Sequence, residues 1–288
     1  YIFMAIRRPD GYVGKPPELG TDVFAMDTGN GSTTIPAYDS GFPVDFGLDR
    51  RPASSEDWYT SARLMGAKWL KTNATSAETS GASYLWDSNV GYIAGNWADS
   101  GYQSWMWKRH AGFDVVAYQG DGVAGRQMPH SLSKTPEMMW VKKRNAAGNW
   151  VVYHKGVNGG TSPENYYMRL DDSTAQTDSD QFYDTAPTST HFTVNSYSYI
   201  NQASNKYIAM LFASVDGISK VGSYSATGSI QTITTGFQPR FLIIKRTDAS
   251  NSWFVLDTTQ GWGSGDDDYL RLESSAAQGN FEFGAPVS

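Results

Sequence analysis

Four histidines, at positions 110, 130, 154 and 191, are the side chains of this 288-residue chain best suited to proton transfer or metal binding. Their spacing supports neither. No His-Glu-x-x-His pattern sets two imidazoles on one helix face around a zinc ion, so four unrelated hydrogen-bonding residues are the simpler reading. Cysteine is absent, which excludes disulfides, thiolate metal ligands and thiol nucleophiles. Gly263-Ser264-Gly265 lacks the spacing of a nucleophile elbow. Gly222 to Gly228 carries glycines without the Gly-Lys-Ser/Thr of a phosphate loop. A glycosidase needs two carboxylates facing one another across a cleft. Glutamate occurs only at 18, 56, 78, 137, 164, 273 and 282, and no spacing marks a pair. A non-catalytic role is the expectation, with a glycan hydrolase as its alternative.

Two acidic clusters could offer oxygen ligands to Ca²⁺, Asp266-Asp267-Asp268 and Asp171-Asp172. Neither has EF-hand spacing, and they fall on opposite sides of the same repeated strand. A solvated acidic turn before a strand is the simpler reading of them. Asp266, Asp267 and Asp268 are the candidate metal residues, and no other cofactor is expected.

Tryptophan carries more information. Trp140, Trp150 and Trp253 lie in apolar runs and read as core. Trp97, Trp105, Trp107 and Trp262 lie among Gly, Ser and Asn. Aromatics in such loops can stack on sugars or anchor an interface, so these four are the candidate contact residues. Packing of a loop onto a sheet is the competing reading. The sequons at Asn30 and Asn73 carry little weight in a chain this rich in Asn and Ser.

Composition constrains what holds these residues. Hydrophobic residues make up 40% and aromatics 14%, enough for a substantial core. Only 18% of residues are charged, and the formal net charge is -6, which argues against a duplex nucleic-acid binder. No apolar run reaches transmembrane length. The chain begins at Tyr1 rather than Met, so a segment of a longer product is expected.

The chain repeats itself. Pro136, Lys142 and Trp150 recur at Pro239, Lys245 and Trp253, each 103 residues on. Tyr167-Met168-Arg169-Leu170 recurs as Tyr269-Leu270-Arg271-Leu272, and more distantly as Trp69-Leu70-Lys71. Val115 to Tyr118 matches Val221 to Tyr224, and Asp22 to Ala25 echoes Asp114 to Ala117. Tyr1-Ile2-Phe3-Met4 echoes Tyr207-Ile208-Ala209-Met210. These anchors predict three tandem β-rich units of roughly 100 residues, 1–104, 105–206 and 207–288, the last shorter than the others. Either the segment is truncated, which is the favoured expectation, or the Tyr1 strand completes the last unit and closes a ring.

Each unit reads as strands of four to eight residues bounded by turn residues. Phe241-Leu242-Ile243-Ile244 suits a strand covered on both faces. Ser55 to Leu70 is the best helical stretch, but its counterparts at Trp150 and Trp253 read as strands, and the repeat outweighs local propensity. The expected class is all-β, sandwich-like or stacked sheets with little helix.

Several stretches carry a resemblance. Met128 to Arg144, Lys220 to Gly228 and Gly236-Phe237-Gln238-Pro239 are similar to a repeated domain of unknown function found in tail and virion structural proteins of marine phages, cyanophages included. Tyr1 to Pro9, Ser104 to Arg109 and Phe113 to Tyr118 resemble stretches of the same proteins. The resemblance implies a particle component assembled in a host cytoplasm and acting outside the cell. It implies contacts with other virion proteins, homo-oligomers, and a host-surface glycan or receptor as partner, without membrane insertion. A tail fibre, appendage or distal adhesin is the leading expectation. A capsid-attached fibre or decoration protein, a polysaccharide-binding or depolymerising tailspike-like protein, and a secreted carbohydrate-binding module are the alternatives. The family brings no catalytic residues to carry over.

Overall fold

Short runs of apolar and β-branched residues, broken every few positions by Gly, Asn, Asp and Ser, leave the chain no stretch long enough for a stable helix. The computed structural model describes residues 19–80, 84–95 and 97–287. Among them the structure is all-β, with helix confined to 3₁₀ turns of three or four residues. Ser55 to Leu70 is strand, turn and strand, as the repeat requires. No helix among the described residues is long and apolar enough to cross a membrane.

The strands in chain order are β1 (Phe24–Thr28), β2 (Tyr38–Asp39), β3 (Phe46–Arg50), β4 (Tyr59–Ala62), β5 (Lys68–Lys71), β6 (Thr79–Ser80), β7 (Tyr84–Leu85), β8 (Gly91–Ala94) and β9 (Gln103–Trp107). Next come β10 (Phe113–Gln119), β11 (Arg126–Pro129), β12 (Met138–Lys143), β13 (Val151–His154), β14 (Tyr166–Arg169), β15 (Thr177–Asp178), β16 (His191–Val194) and β17 (Lys206–Phe212). The last are β18 (Phe241–Lys245), β19 (Trp253–Asp257), β20 (Asp267–Arg271) and β21 (Gly279–Phe281).

Three larger antiparallel sheets follow. Sheet I has the order β1-β9-β3-β4-β5-β6, sheet II β10-β17-β12-β13-β14-β15 and sheet III β18-β19-β20-β21. In sheets I and II the strand latest in the chain inserts between the first strand and the meander. Phe46 pairs with Trp107 in one and Met138 with Phe212 in the other. Position 104 therefore falls inside β9 and position 206 at the start of β17. Hydrogen bonding carries each of these strands back to the sheet before it, so sheets I and II end at Trp107 and Phe212, not at the expected boundaries.

All three sheets turn one face to a common core that holds Trp58, Trp105, Trp140, Trp150 and Trp253. The other faces of sheets I and II are roofed. The small sheet β2-β8-β7 roofs sheet I over Tyr38, Tyr84, Trp86 and Tyr92. The β11–β16 pair roofs sheet II over Met128, Phe182 and Phe192. In sheet III the expected two-sided burial of Phe241 to Ile244 is not reached, and all four are only partly buried. Nor do Val221 to Tyr224 form a strand, because sheet III presents no counterpart of β17 among the described residues. The Tyr1 to Met4 strand expectation lies outside the described residues. The echo of Asp22 to Ala25 is also shifted: Phe24, not Thr21, takes the place of Phe113, each pairing with the terminal aromatic of the inserted strand, Trp107 or Phe212.

The sheets interlock in a cycle. Trp58 of sheet I donates its indole N–H to the carbonyl of Arg271 in sheet III, 2.7 Å away. Trp253 of sheet III donates to Arg169 O of sheet II at 2.8 Å. Trp150 of sheet II donates to Lys71 O of sheet I at 2.8 Å. Their own backbone N–H groups are capped alike, by Asn73 Oδ1, Asp171 Oδ1 and Glu273 Oε2. A second cycle joins backbone to backbone, Glu78 N–H to Arg144 O, Gln176 N–H to Thr247 O and Gln278 N–H to Pro52 O. A third uses cations: Arg50 donates to the carbonyls of Ser274 and Ala276, Lys142 to Thr75 O and Lys245 to Ser173 O.

Candidate functional site

The four tryptophans singled out from their loop-like surroundings part company in the structure. Trp105 and Trp107 are on β9, an interior strand of sheet I, and are 0% and 8% exposed. Their alternation with Ser104 and Met106 turns both indoles to the common core, where Trp105 Nε1 donates to Asp257 Oδ2 at 3.0 Å. Neither is a surface contact residue. Trp262 is also buried, and its indole is spent on the Gly284 carbonyl at 2.8 Å. Trp97 alone of the four is partly exposed.

Trp97 belongs to an aromatic platform on the outer side of sheet I. Its ring stacks on Tyr59, with centroids 4.0 Å apart and planes 16° from parallel. Trp69 meets both rings edge-on, at 5.3 Å from Tyr59 and 5.0 Å from Trp97. All three are partly exposed. Strand alternation puts them there. Trp58 and Leu70 point into the core, so their neighbours Tyr59 and Trp69 point out. Trp69 was legible only as a repeat anchor, and Tyr59 was not singled out. The signal that could have found them is this alternation across two paired strands, Tyr59 lying opposite Lys71 and Thr60 opposite Leu70.

A polar rim borders the platform. Lys71 pairs with Asp57 at 2.5 Å, and its ammonium lies 5.7 Å from the centre of the Trp69 ring. Partial burial pushes the Asp57 carboxyl up, but Lys71 and Asn73 more than compensate and hold it below the usual carboxylate range. Burial, with the Asp57 charge, raises Tyr59. The same loop carries a second cluster. Arg51 lies 4.7 Å over the Tyr102 ring and pairs with Asp99 at 2.6 Å, while the Tyr102 hydroxyl donates to Glu56. The loop is fixed from behind by Gly29 N–H to Tyr102 O and Gly31 N–H to Ala98 O.

The acidic cluster is structural. Asp267 is buried and accepts the backbone N–H groups of Gly263 and Phe283. Asp268 accepts from the side chains of Gln278 and Asn280, and Asp266 is exposed. Asp171 caps Trp150. Among the described residues no three His, Cys, Asp or Glu side chains converge as a metal site would need. The Ca²⁺ expectation finds no support in how these carboxylates are used.

Beneath the roof of sheet I lies one further titratable centre. Asp49 is fully buried, accepts hydrogen bonds from the Tyr84 and Tyr92 hydroxyls, and is linked through Tyr92 to Ser104. Burial lifts it to about 7 in spite of these donors. Tyr38, Tyr84 and Tyr92 of the β2-β8-β7 roof above it are 0–1% exposed. Its geometry is that of a stitch between sheet and roof.

No curated protein and no solved structure matches the chain. A family described as "Domain of unknown function (DUF7483)" matches residues 25–284, from the first strand of sheet I to the last turn after sheet III. The match takes in all three interlocked sheets, and the chain belongs to that family.

Proposed function

We propose that this protein is a non-catalytic structural component of a virus particle, a tail fibre, appendage or distal adhesin, and that it grips a saccharide of the host surface on the Tyr59–Trp69–Trp97 platform. The observation that carries the reading is the partly exposed Tyr59–Trp97 stack with Trp69 at its edge. Such rings offer the apolar face of a pyranose a flat, rigid partner at small entropic cost. Asp57 and Lys71 beside them can accept from and donate to sugar hydroxyls. The particle assignment rests on the resemblance of Met128 to Arg144 and Lys220 to Gly228 to phage virion proteins. Three sheets fastened by recurring buried bonds suit a protein that must survive outside a cell. Within this reading the chain assembles with copies of itself and with other virion proteins, and the net charge of -6 fits a partner other than nucleic acid.

Electron microscopy of particles labelled with an antibody against the chain tests the assignment. Label at the distal tail is the expected result. Label spread over the head would make the protein a capsid fibre or decoration and remove the receptor role. Particles without label would end the virion reading.

A further inference from the structure

Sheets I and III carry the same aromatic arrangement on the faces they turn away from the common core. β4 and β5 set Tyr59 opposite Lys71 and Thr60 opposite Leu70, and β19 and β20 set Phe254 opposite Arg271 and Val255 opposite Leu270. Phe254 and Tyr269 therefore occupy the places of Tyr59 and Trp69. Their rings meet edge-on at 5.3 Å with planes 77° apart, and the sheet I pair meets at 5.3 Å and 85°. A third ring completes each set. Phe283 lies 5.5 Å from Tyr269 at 68°, as Trp97 lies 5.0 Å from Trp69 at 78°. A cation rides on each: Arg271 is 5.3 Å from the centre of the Tyr269 ring, and Lys71 is 5.7 Å from that of Trp69. In sheet II the same places hold Val151 and Tyr167, and both are buried beneath the β11–β16 roof.

Three features fit the sheet III rings to a ligand. They are accessible: Phe254, Tyr269 and Phe283 are partly exposed, and Phe281, 5.4 Å from Phe283, is 62% exposed. They are also held in place. The backbone N–H of Phe283 donates to Oδ2 of the buried Asp267 at 2.8 Å. The Tyr269 ring lies against β21 at its register partner Gly279, where a Cβ would come within 2.6 Å of the phenol. Finally, Arg271 is uncommitted. Lys71 pairs with Asp57 and Arg169 with Asp172, whereas Arg271 makes no ion pair among the described residues and gives one N–H to the Tyr269 hydroxyl at 2.9 Å. Its other donors are left for the hydroxyls of a ligand.

We propose that the Phe254–Tyr269–Phe283 face of sheet III is a second saccharide site, where a pyranose packs its apolar face on the rings and accepts from Arg271 through its hydroxyls. The proposal rests on the saccharide reading of the Tyr59–Trp69–Trp97 platform, because the shared geometry is what identifies the ligand class. The two sites differ in shape. Tyr59 and Trp97 are 16° from parallel, whereas Phe254 and Phe283 are tilted by 57° at 5.3 Å. Sheet III thus offers an angled cup where sheet I offers a flat shelf, and the cup is the weaker site. Each site faces away from the core on its own sheet. A short oligosaccharide occupies one site at a time, while a polysaccharide coat engages both and gains avidity.

Calorimetric titration with short oligosaccharides cut from the host-surface polysaccharide counts the sites. The unaltered chain should take two per molecule. Phe283→Ala should leave one, with the tryptophan fluorescence response of sheet I intact, and Trp97→Ala should leave the other. Gly279→Ala removes no ring but pushes Tyr269 aside, and it should weaken the sheet III site about tenfold while sheet I binds as before. One oligosaccharide per chain, lost in Trp97→Ala and untouched by Phe283→Ala, would overturn the second site and leave the sheet I platform standing. One per chain lost only in Phe283→Ala would remove the sheet I platform and keep the sheet III site. No binding to the unaltered chain would remove both. Dimerisation at rising concentration that Phe283→Ala abolishes would overturn the saccharide site in favour of an interface between copies.

Discussion

The indole N–H of Trp253 meets the carbonyl oxygen of Arg169 across the boundary between sheets III and II, 2.8 Å away. The same bond recurs from Trp150 to Lys71 and from Trp58 to Arg271. The third member matters most, because it joins the last sheet back to the first. An open array of units contacts only sequence neighbours and can lose its terminal unit first. A closed cycle has no terminal unit, and each sheet is held on two sides.

Thermal or urea unfolding should accordingly show one transition, with near-ultraviolet and far-ultraviolet signals coincident. Trp150→Phe removes the donor and leaves the partly buried Lys71 carbonyl without it, which costs about 1–3 kcal/mol. Trp150→Ala adds loss of core volume and should cost about 3–5 kcal/mol. Both should lower the midpoint for the whole protein. A variant in which a separate early transition appears, with the rest unmoved, would show that the cycle does not couple the sheets.

The sequence disclosed the class and the anchors but not the closure. Trp150 and Trp253 are legible as core because they stand in apolar runs at equal spacing. That their indoles reach across to Lys71 and Arg169 depends on how sheets are placed about an axis, which local pattern does not encode. Trp105 and Trp107 show the opposite failure. Their Gly- and Ser-rich flanks look like loop, yet the inserted position of β9 buries them. Order within a sheet, not composition, decided it. Trp97 was found for its loop setting, and Tyr59 and Trp69 were missed because they sit beside stronger core signals.

Asp49 and two histidines pull stability in opposite directions with pH. Burial raises Asp49 to about 7, above its unfolded value, so the folded state holds the extra proton between about pH 4 and 7. Its contribution is complete at the acid end and is lost as pH rises through 7. Burial lowers His110 and His154 to about 4, and their Nδ1 atoms accept from Gly112 and Gly156 N–H. Here the unfolded state binds the extra proton, so stability is lost as pH falls from about 6.5 to 4. The opposing slopes flatten the curve between pH 4.5 and 6.5. Asp49→Asn should leave the histidine slope uncovered, and its melting temperature should climb with pH across that window more steeply than that of the unaltered protein. Parallel curves would show that Asp49 titrates near its ordinary value.

Saccharide recognition on the platform predicts unequal effects for four tryptophans. Trp97→Ala should weaken binding of host-surface polysaccharide at least tenfold, about 1.4 kcal/mol or more, and Tyr59→Ala should act similarly by removing the stacked partner. Trp97→Phe should retain part of the affinity. Trp262→Ala should lower the melting temperature through loss of its bond to Gly284 while the folded fraction binds as before. Trp105→Phe and Trp107→Phe should behave as Trp262→Ala does. Titration followed by tryptophan fluorescence reads these differences, and unchanged affinity in both Trp97→Ala and Tyr59→Ala would remove the platform as the binding surface.

Gly29 offers a way to disturb the platform without touching it. A Cβ there would lie 2.2 Å from the Ala98 carbonyl oxygen and 2.3 Å from its carbonyl carbon. Both are backbone atoms, so no side chain can swing aside. Gly29 also donates its N–H to Tyr102 O. Gly29→Ala must therefore push the 97–102 loop away from the end of β1. The shift would carry Trp97 off Tyr59 and pull Arg51 from Asp99. The expected result is a loss of saccharide binding comparable to Trp97→Ala, with destabilisation of about 1–3 kcal/mol from the forced contact. Gly31→Ala at φ 71° has open space around its Cβ; it should strain its own turn by a similar amount but leave Trp97 in place and affinity nearly intact. If both substitutions reduced affinity in proportion to stability, loop position would not be what the platform depends on.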